Sequence, residues 1–252
     1  MSQLDTENKA GFFRKYLIIL KVLRAIINAS IASLWYTYFV KEKRKRADQK
    51  LDWMSKKLLQ AVDLKFEVFN ESGFTFKDDV PYVLMSNHLS HYDIPLLMQA
   101  FTHQSVRMLT KKELFKVPLW GKGMKNAEFI SIDRKNQKQA LRDIETAKKA
   151  MQSGIRLWVA PEGTRSREGH LLPFKRGGFK IAIDLNATIL PIGIIGSNKA
   201  LPPDKFNFYL HQNAEVHIGK PVDCSSYDMK NVKELMAEVE TQIRELGKYG
   251  PS

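Results

Sequence analysis

The sequence of 252 residues contains a single cysteine, Cys224. One cysteine excludes an intramolecular disulfide, argues against a zinc site of the multi-cysteine type, and fits a reducing, cytoplasmic setting. The sequence has no internal repeat and no low-complexity tract, so it is not read as a solenoid or a disordered tail. Acidic residues are in short supply, with 27 Asp and Glu against 40 Lys and Arg and a formal net charge of +13. Long hydrophobic runs are missing too. The longest charge-free stretch, residues 25–40, has 16 residues, short of the roughly 18 expected of a membrane-spanning helix.

What is present is enough for a real core. Hydrophobic residues make up 44% of the chain, and the length suits one large or two small domains. The positive charge is uneven: residues 1–60 hold 13 Lys and Arg against 5 Asp and Glu. The densest part, KEKRKR at 41–46, directly follows YLIILKVLRAIINASIASLWYTYFV at 16–40. Alone, the basic run is as well read as a solvated helix face. After an apolar segment ending in Trp35, Tyr36 and Tyr38, it reads as part of a helix lying in or dipping into a membrane face. Lys21 and Arg24 interrupt the segment but can snorkel. A spanning helix and a buried core helix are the alternatives. A cleaved signal peptide is disfavoured because the apolar run continues past the small residues at 29–33. Nucleic acid is disfavoured because the aromatics sit in the apolar run, not among the basic residues.

Leu51, Met54 and Leu58 repeat at helical spacing, so helices are expected at about 12–40 and 47–61. Beyond them the texture changes to short apolar runs ended by polar loops. LKFEVFN, YVLMSN, VRMLTKK, EFISIDR, RLWVAP, TILPIGIIG and EVHIGKP read as strands. IPLLMQAF, residues 136–152, GFKIAIDL and residues 229–247 read as helices. The expected fold class is therefore α/β: a largely parallel sheet flanked by helices, preceded by an N-terminal membrane-associated helix pair. The expected division is residues 1–61 for the helix pair and 62–252 for the α/β domain.

Polar clusters fall where strands end, the place where α/β proteins gather their sites. The first is SNHLSHYDIP at 86–95. In a continuous α-helix, His88 and Asp93 would point about 140° apart. Pro95 suits a first helical turn, which places the helix start near Asp93, with Asp93 as N-cap and His88 in the turn before it. Such a turn can bring His88 back to the carboxylate, which fixes the tautomer and leaves the other ring nitrogen as a base. A capped helix beside an ordinary loop histidine explains the same residues. A metal site on His88, His91 and Asp93 is a third reading. The spacing lacks the HExxH pattern, and no further ligand set stands out among His103, His170, His211 and His217.

The second cluster is APEGTRSR at 160–167, followed by FKRGGFK at 174–180. Gly163 lets backbone approach an anion, Thr164 donates, and Arg165 offers a bidentate fork for phosphate. Glu162 can hold the turn or the arginine. A helix opening behind the Gly pair favours anions as well. Lys112 in TKKEL and Arg134 in IDR follow other strands. Each could be surface charge alone.

Together these residues resemble the glycerolipid acyltransferases, most closely the 1-acylglycerol-3-phosphate O-acyltransferases. NHLSHYD is similar to their NHx4D block and PEGTRS at 161–166 to their second hallmark. KKEL, PLWG and FISIDR resemble the block between, and ILPIG at 189–193 the one that follows. The likeness covers about residues 80–195. Ala160 stands where the family commonly has an aromatic, and Glu128 where many members have glycine.

The resemblance implies acyl transfer from acyl-coenzyme A or acyl carrier protein to the sn-2 hydroxyl of 1-acylglycerol 3-phosphate, making phosphatidic acid in phospholipid biosynthesis. His88 would be the general base and Asp93 its orienter. Arg165, with Lys112 or Arg134, would hold the acceptor phosphate in a pocket shaped by Glu162, Gly163 and Thr164. No metal or redox cofactor is implied. Membrane lipids, lysophosphatidic acid and the acyl donor would be the partners, at the cytoplasmic face of the cell (inner) membrane. The same chemistry on glycerol 3-phosphate or another lysophospholipid, a non-catalytic lipid-binding protein and a metal hydrolase are the alternatives.

Overall fold

The computed structural model describes residues 8–132, 137–203 and 206–250. It opens with two helices, α1 (Phe12–Phe39) and α2 (Lys43–Ala61). The α1 helix is long and apolar enough to cross a membrane, by length and composition alone. Its buried side is narrow and mostly small: Ile18, Ala25, Ala29, Ser30 and Ser33. Its outer side keeps large apolar residues exposed, among them Phe13, Leu20, Ile27, Ile31 and Trp35. Small residues let helices approach closely, which explains how α1 packs against α2 and α4 (Trp120–Asn126). The Ser33 hydroxyl donates to the Gly123 carbonyl at 3.0 Å across that contact.

The remainder is an eight-stranded sheet. Its strands are β1 (Lys65–Phe69), β2 (Tyr82–Ser86), β3 (Val106–Lys111), β4 (Ile130–Ile132), β5 (Arg156–Val159), β6 (Thr188–Ile195), β7 (Asn213–Ile218) and β8 (Val222–Asp223). The spatial order is β1-β7-β6-β2-β5-β3-β4, with β8 on β6. Parallel pairs join β1 to β7, β2 to both β5 and β6, and β3 to both β4 and β5. The pairs β6–β7 and β6–β8 are antiparallel. Pro191 sits in central strand β6 without disturbing it. Residues 188–189 pair with β8 and 192–195 with β7, so Pro191 falls between the two antiparallel partners, where its missing N–H costs nothing.

Helices cover both faces, so central strands read as unbroken apolar runs. In β2 every residue is buried. Tyr82 and Leu84 join one core with Ile18, Leu59 and Leu96, while Val83 and Met85 join the other with Phe179, Val239 and Ile243. The first layer is built by α1, α2 and α3 (Asp93–Ala100). The second is built by α5 (Gln137–Gln152), α6 (Arg176–Asp184) and α8 (Val232–Leu246). A single helical turn, α7 (Ser197–Ala200), follows β6.

Two starts differ from expectation. The α2 helix begins at Lys43, so the basic run lies inside it, because Arg44 is held by the protein. Its guanidinium donates to both Glu128 oxygens, at 2.7 and 2.6 Å, and to the Ser153 hydroxyl at 2.8 Å. The α3 helix begins at Asp93 with Tyr92 as its N-cap residue, so Asp93 does not cap it. Its carboxylate faces back into the preceding turn instead, where three donors meet it.

Candidate active site

The strands β2, β5 and β3 run parallel and end at one edge of the sheet, and the polar clusters sit there. His88 stands two residues beyond β2. Its Nδ1 lies 2.6 Å from Asp93 Oδ2, with Asp93 fully buried. The same Oδ2 accepts the backbone N–H groups of Leu89 at 2.7 Å and Ser90 at 2.9 Å. The tight turn thus brings the two side chains together, as a straight helix could not. A proton held between Nδ1 and the carboxylate leaves the lone pair on Nε2.

The ring of His88 is also walled. Trp158 of β5 meets it edge-on, with centroids 5.8 Å apart and planes at 89°. The indole Nε1 donates to Ser86 Oγ at 3.0 Å, which fixes the wall to the strand that carries His88.

Glu162 lies in the turn after β5 and is 2% exposed. One carboxylate oxygen accepts the His88 backbone N–H at 2.7 Å and the other accepts that of Leu172 at 2.9 Å. The Ser166 N–H donates to the His88 carbonyl at 2.8 Å. The EGTRS turn therefore holds the His88 backbone from both sides. Burial pushes the Glu162 carboxyl up to about 7, against the pull of its two N–H donors.

Gly163 adopts φ +73°, and a Cβ there would stand 2.9 Å from Lys175 Nζ. Thr164 is exposed and Arg165 half-buried. Arg165 Nη1 donates to the Pro203 carbonyl at 2.5 Å. Lys112 opens a 3-10 turn, Lys112–Lys116, just past β3 at the same sheet edge. Arg134 lies outside the described residues. Among the described residues, no group of three or more His, Cys, Asp and Glu is placed to hold a metal ion.

His91 lines a cavity of about 370 Å³ that opens beside this loop. The walls come from α1, α2, α3, α4 and the segments around Met108, Phe129 and Leu201–Phe208, and are almost wholly apolar, including Val22, Ile26, Met54 and Met98. The surrounding protein, and then the nearby Arg165 and His88, push the His91 pKa down to about 4. His91 is therefore neutral at pH 7. The loop that carries the His88–Asp93 pair thus also contributes His91 and Tyr92 to the wall of an apolar chamber.

Sequence reasoning assigned no role to Trp158 or Asn87. A tryptophan just before PEGTR, and an asparagine just before the histidine, were the available signals. The chamber has no local signal, because its walls come from several segments spread along the chain.

Residues 65–195 match the model of the acyltransferase family. The chain is 30% identical over 151 residues to 1-acyl-sn-glycerol-3-phosphate acyltransferase BAT2, chloroplastic, of Brassica napus, covering 60% of this chain and 43% of that protein. It is 31% identical over 180 residues to 1-acyl-sn-glycerol-3-phosphate acyltransferase alpha of Homo sapiens, covering 69% of this chain and 63% of the relative. It thus spans less than two thirds of the length of either relative. The fold is similar to the crystal structure of the 1-acyl-sn-glycerophosphate acyltransferase PlsC from Thermotoga maritima. The TM-score is 0.76 at 23% identity, covering 93% of this chain and 97% of that one.

Proposed function

Since the chain belongs to the acyltransferase family, we propose that it moves a fatty acyl group from an acyl thioester to the sn-2 hydroxyl of 1-acylglycerol 3-phosphate, forming phosphatidic acid. The observation that carries the reading is the 2.6 Å contact between His88 Nδ1 and Asp93 Oδ2, on a loop held by the EGTRS turn.

In this mechanism His88 Nε2 takes the proton of the acceptor hydroxyl as its oxygen attacks the thioester carbonyl. A C–O bond forms, the C–S bond breaks, and the imidazolium returns the proton to the departing thiolate. Asp93 holds the ring and stabilises the imidazolium. A positioned base of this kind contributes roughly 10²–10⁴ in rate. Arg165 takes the acceptor phosphate, with Lys112 and Arg134 as further cations, while Gly163 and Thr164 shape the turn. Glu162 supports this pocket from beneath by holding the His88 backbone. The apolar chamber takes an acyl chain.

Both lysolipid and product live in a bilayer. The exposed apolar side of α1, roughly 42 Å long at 1.5 Å per residue, is read as lying in the membrane. The basic start of α2 is read as facing the anionic lipids of the cytoplasmic leaflet of the inner membrane. Acyl-coenzyme A or acyl carrier protein would supply the acyl group.

The test is an acceptor and donor panel with the purified full chain on phospholipid vesicles. Lysophosphatidate should be acylated with a far higher kcat/KM than lysophosphatidylcholine or glycerol 3-phosphate. The Arg165→Ala variant should lose that preference through KM. Equal use of lysophosphatidylcholine or glycerol 3-phosphate would reject the reading.

A further inference from the structure

Glu162, Ser166 and Asp93 hold the His88 loop from the sides already described. The segment after α8 reaches the same loop from behind, through Asn87. The Asn87 amide, fully buried, copies a strand partner: its Nδ2 donates to the Ile194 carbonyl at 2.8 Å, and the Ile194 N–H donates to its Oδ1 at 2.7 Å. The second Nδ2 hydrogen goes to the Tyr249 hydroxyl, 2.7 Å away.

Getting that hydroxyl there shapes the whole end of α8. The last turn lies so close to β6 that a Cβ on Gly193 would come within 2.3 Å of the Leu246 carbonyl carbon. Lys248 takes a left-handed φ of +55° to reverse the chain, and its Nζ is tied to Glu215 at 2.7 Å. The Tyr249 N–H then donates to the Arg244 carbonyl at 2.9 Å. Its ring covers Gly247, where a Cβ would stand 2.4 Å from a ring carbon.

A simple plug for the core would explain the ring, which packs against the buried residues of the second layer. It does not explain the hydroxyl, since phenylalanine would fill the same space. Without the oxygen, one buried Asn87 N–H has no partner, a costly state for an amide. Burial raises the Tyr249 pKa to about 12, so the group remains a neutral hydroxyl at pH 7.

We propose that Tyr249 is a positioning residue for acyl transfer, fixing the Asn87 amide and through it the backbone from which His88 meets Asp93. The proposal rests on the reading of His88 as the base.

The test compares Tyr249→Phe and Tyr249→Ala in the full chain on vesicles, by thiol release from acyl-coenzyme A with lysophosphatidate, by thermal unfolding, and by the nitrogen-15 signals of the His88 imidazole assigned with His88→Ala. Tyr249→Phe should lower kcat roughly tenfold, the order expected when a reacting group is slightly misplaced. KM for both substrates should hold within about twofold of the unaltered protein, a span small against the effect on kcat, with Tm lowered only by the unpaired Asn87 N–H and less than in Tyr249→Ala. The His88 signals should shift toward a mixed tautomer. Tyr249→Ala should show the same loss of kcat together with a lower Tm. Full kcat in Tyr249→Phe, a loss confined to KM, or unchanged imidazole signals would overturn the proposal. If the unaltered protein releases no thiol with this acceptor, the proposed function fails instead, and the imidazole signals still decide whether Tyr249 positions His88.

Discussion

His88 Nδ1 and Asp93 Oδ2 are 2.6 Å apart, and the oxygen that receives the ring also receives the Leu89 and Ser90 N–H groups. One atom therefore closes the turn and orients the base. Asp93→Asn keeps an oxygen for the turn and the ring but loses the negative charge that stabilises the imidazolium. It should lower kcat by about 10²-fold or more, with little change in KM for the acyl donor. Steady-state kinetics on vesicles check the split.

Glu162 predicts a pH dependence of stability. Its folded pKa of about 7 lies above the 4.5 of an ordinary glutamate, so the folded protein binds this proton more tightly than the unfolded chain. The contribution is fully present below about 4.5 and is lost as pH rises through about 7, amounting to a few kcal/mol at most. Glu162→Gln should flatten the fall of Tm between pH 5 and 7. It should also lower Tm at pH 5, because the side-chain nitrogen of Gln cannot accept the N–H of His88 or Leu172. Thermal unfolding across that range measures both effects.

Glu128 explains one departure from the family pattern. It adopts φ +64°, a left-handed backbone that glycine takes freely. Here the cost is offset by the two-pronged pair with Arg44, which ties α2 to the segment before β4. Both partners are about one third exposed, so solvent weakens the pair. Glu128→Ala loses the pair and keeps the strain, while Glu128→Gly loses the pair alone. The glycine variant should therefore unfold at the higher temperature, by about 1 kcal/mol of stability. The opposite order would show that the strain is not what the pair offsets.

The basic start of α2 should contribute to membrane binding unequally. Lys43, Lys45 and Arg46 are free to meet lipid headgroups to the extent that surface pairs allow, whereas Arg44 is engaged with Glu128 and Ser153. Replacing the first three with Gln should weaken binding to anionic vesicles by about 1 kcal/mol per residue at low salt. Arg44→Gln should weaken it less and lower Tm instead. Vesicle sedimentation and unfolding separate the two effects.

The sequence made the sheet readable because buried parallel strands leave unbroken apolar runs, as in YVLMS and TILPIGII. It hid α4, whose WGKGMKN carries two glycines and is held helical by its packing against α1. It hid β8 because two residues carry no period. In the site, the sequence allowed a contact between His88 and Asp93, which the fold makes, but spacing does not say which way the other side chains face. Only the fold turns the Glu162 carboxylate to the His88 N–H, sets Trp158 against the imidazole and brings Tyr249 to Asn87. Those contacts join residues far apart in the chain, so no local pattern records them.

In the proposed reaction His88 removes the proton from a lysophosphatidate hydroxyl. The most direct measurement is phosphatidate formed from lysophosphatidate and acyl-coenzyme A by the purified protein and by His88→Ala, with folding checked by unfolding. Turnover by the unaltered protein and a loss of about 10²–10⁴-fold in the variant, with Tm and vesicle binding intact, are predicted. A folded His88→Ala protein that still makes phosphatidate at the original rate would contradict the account.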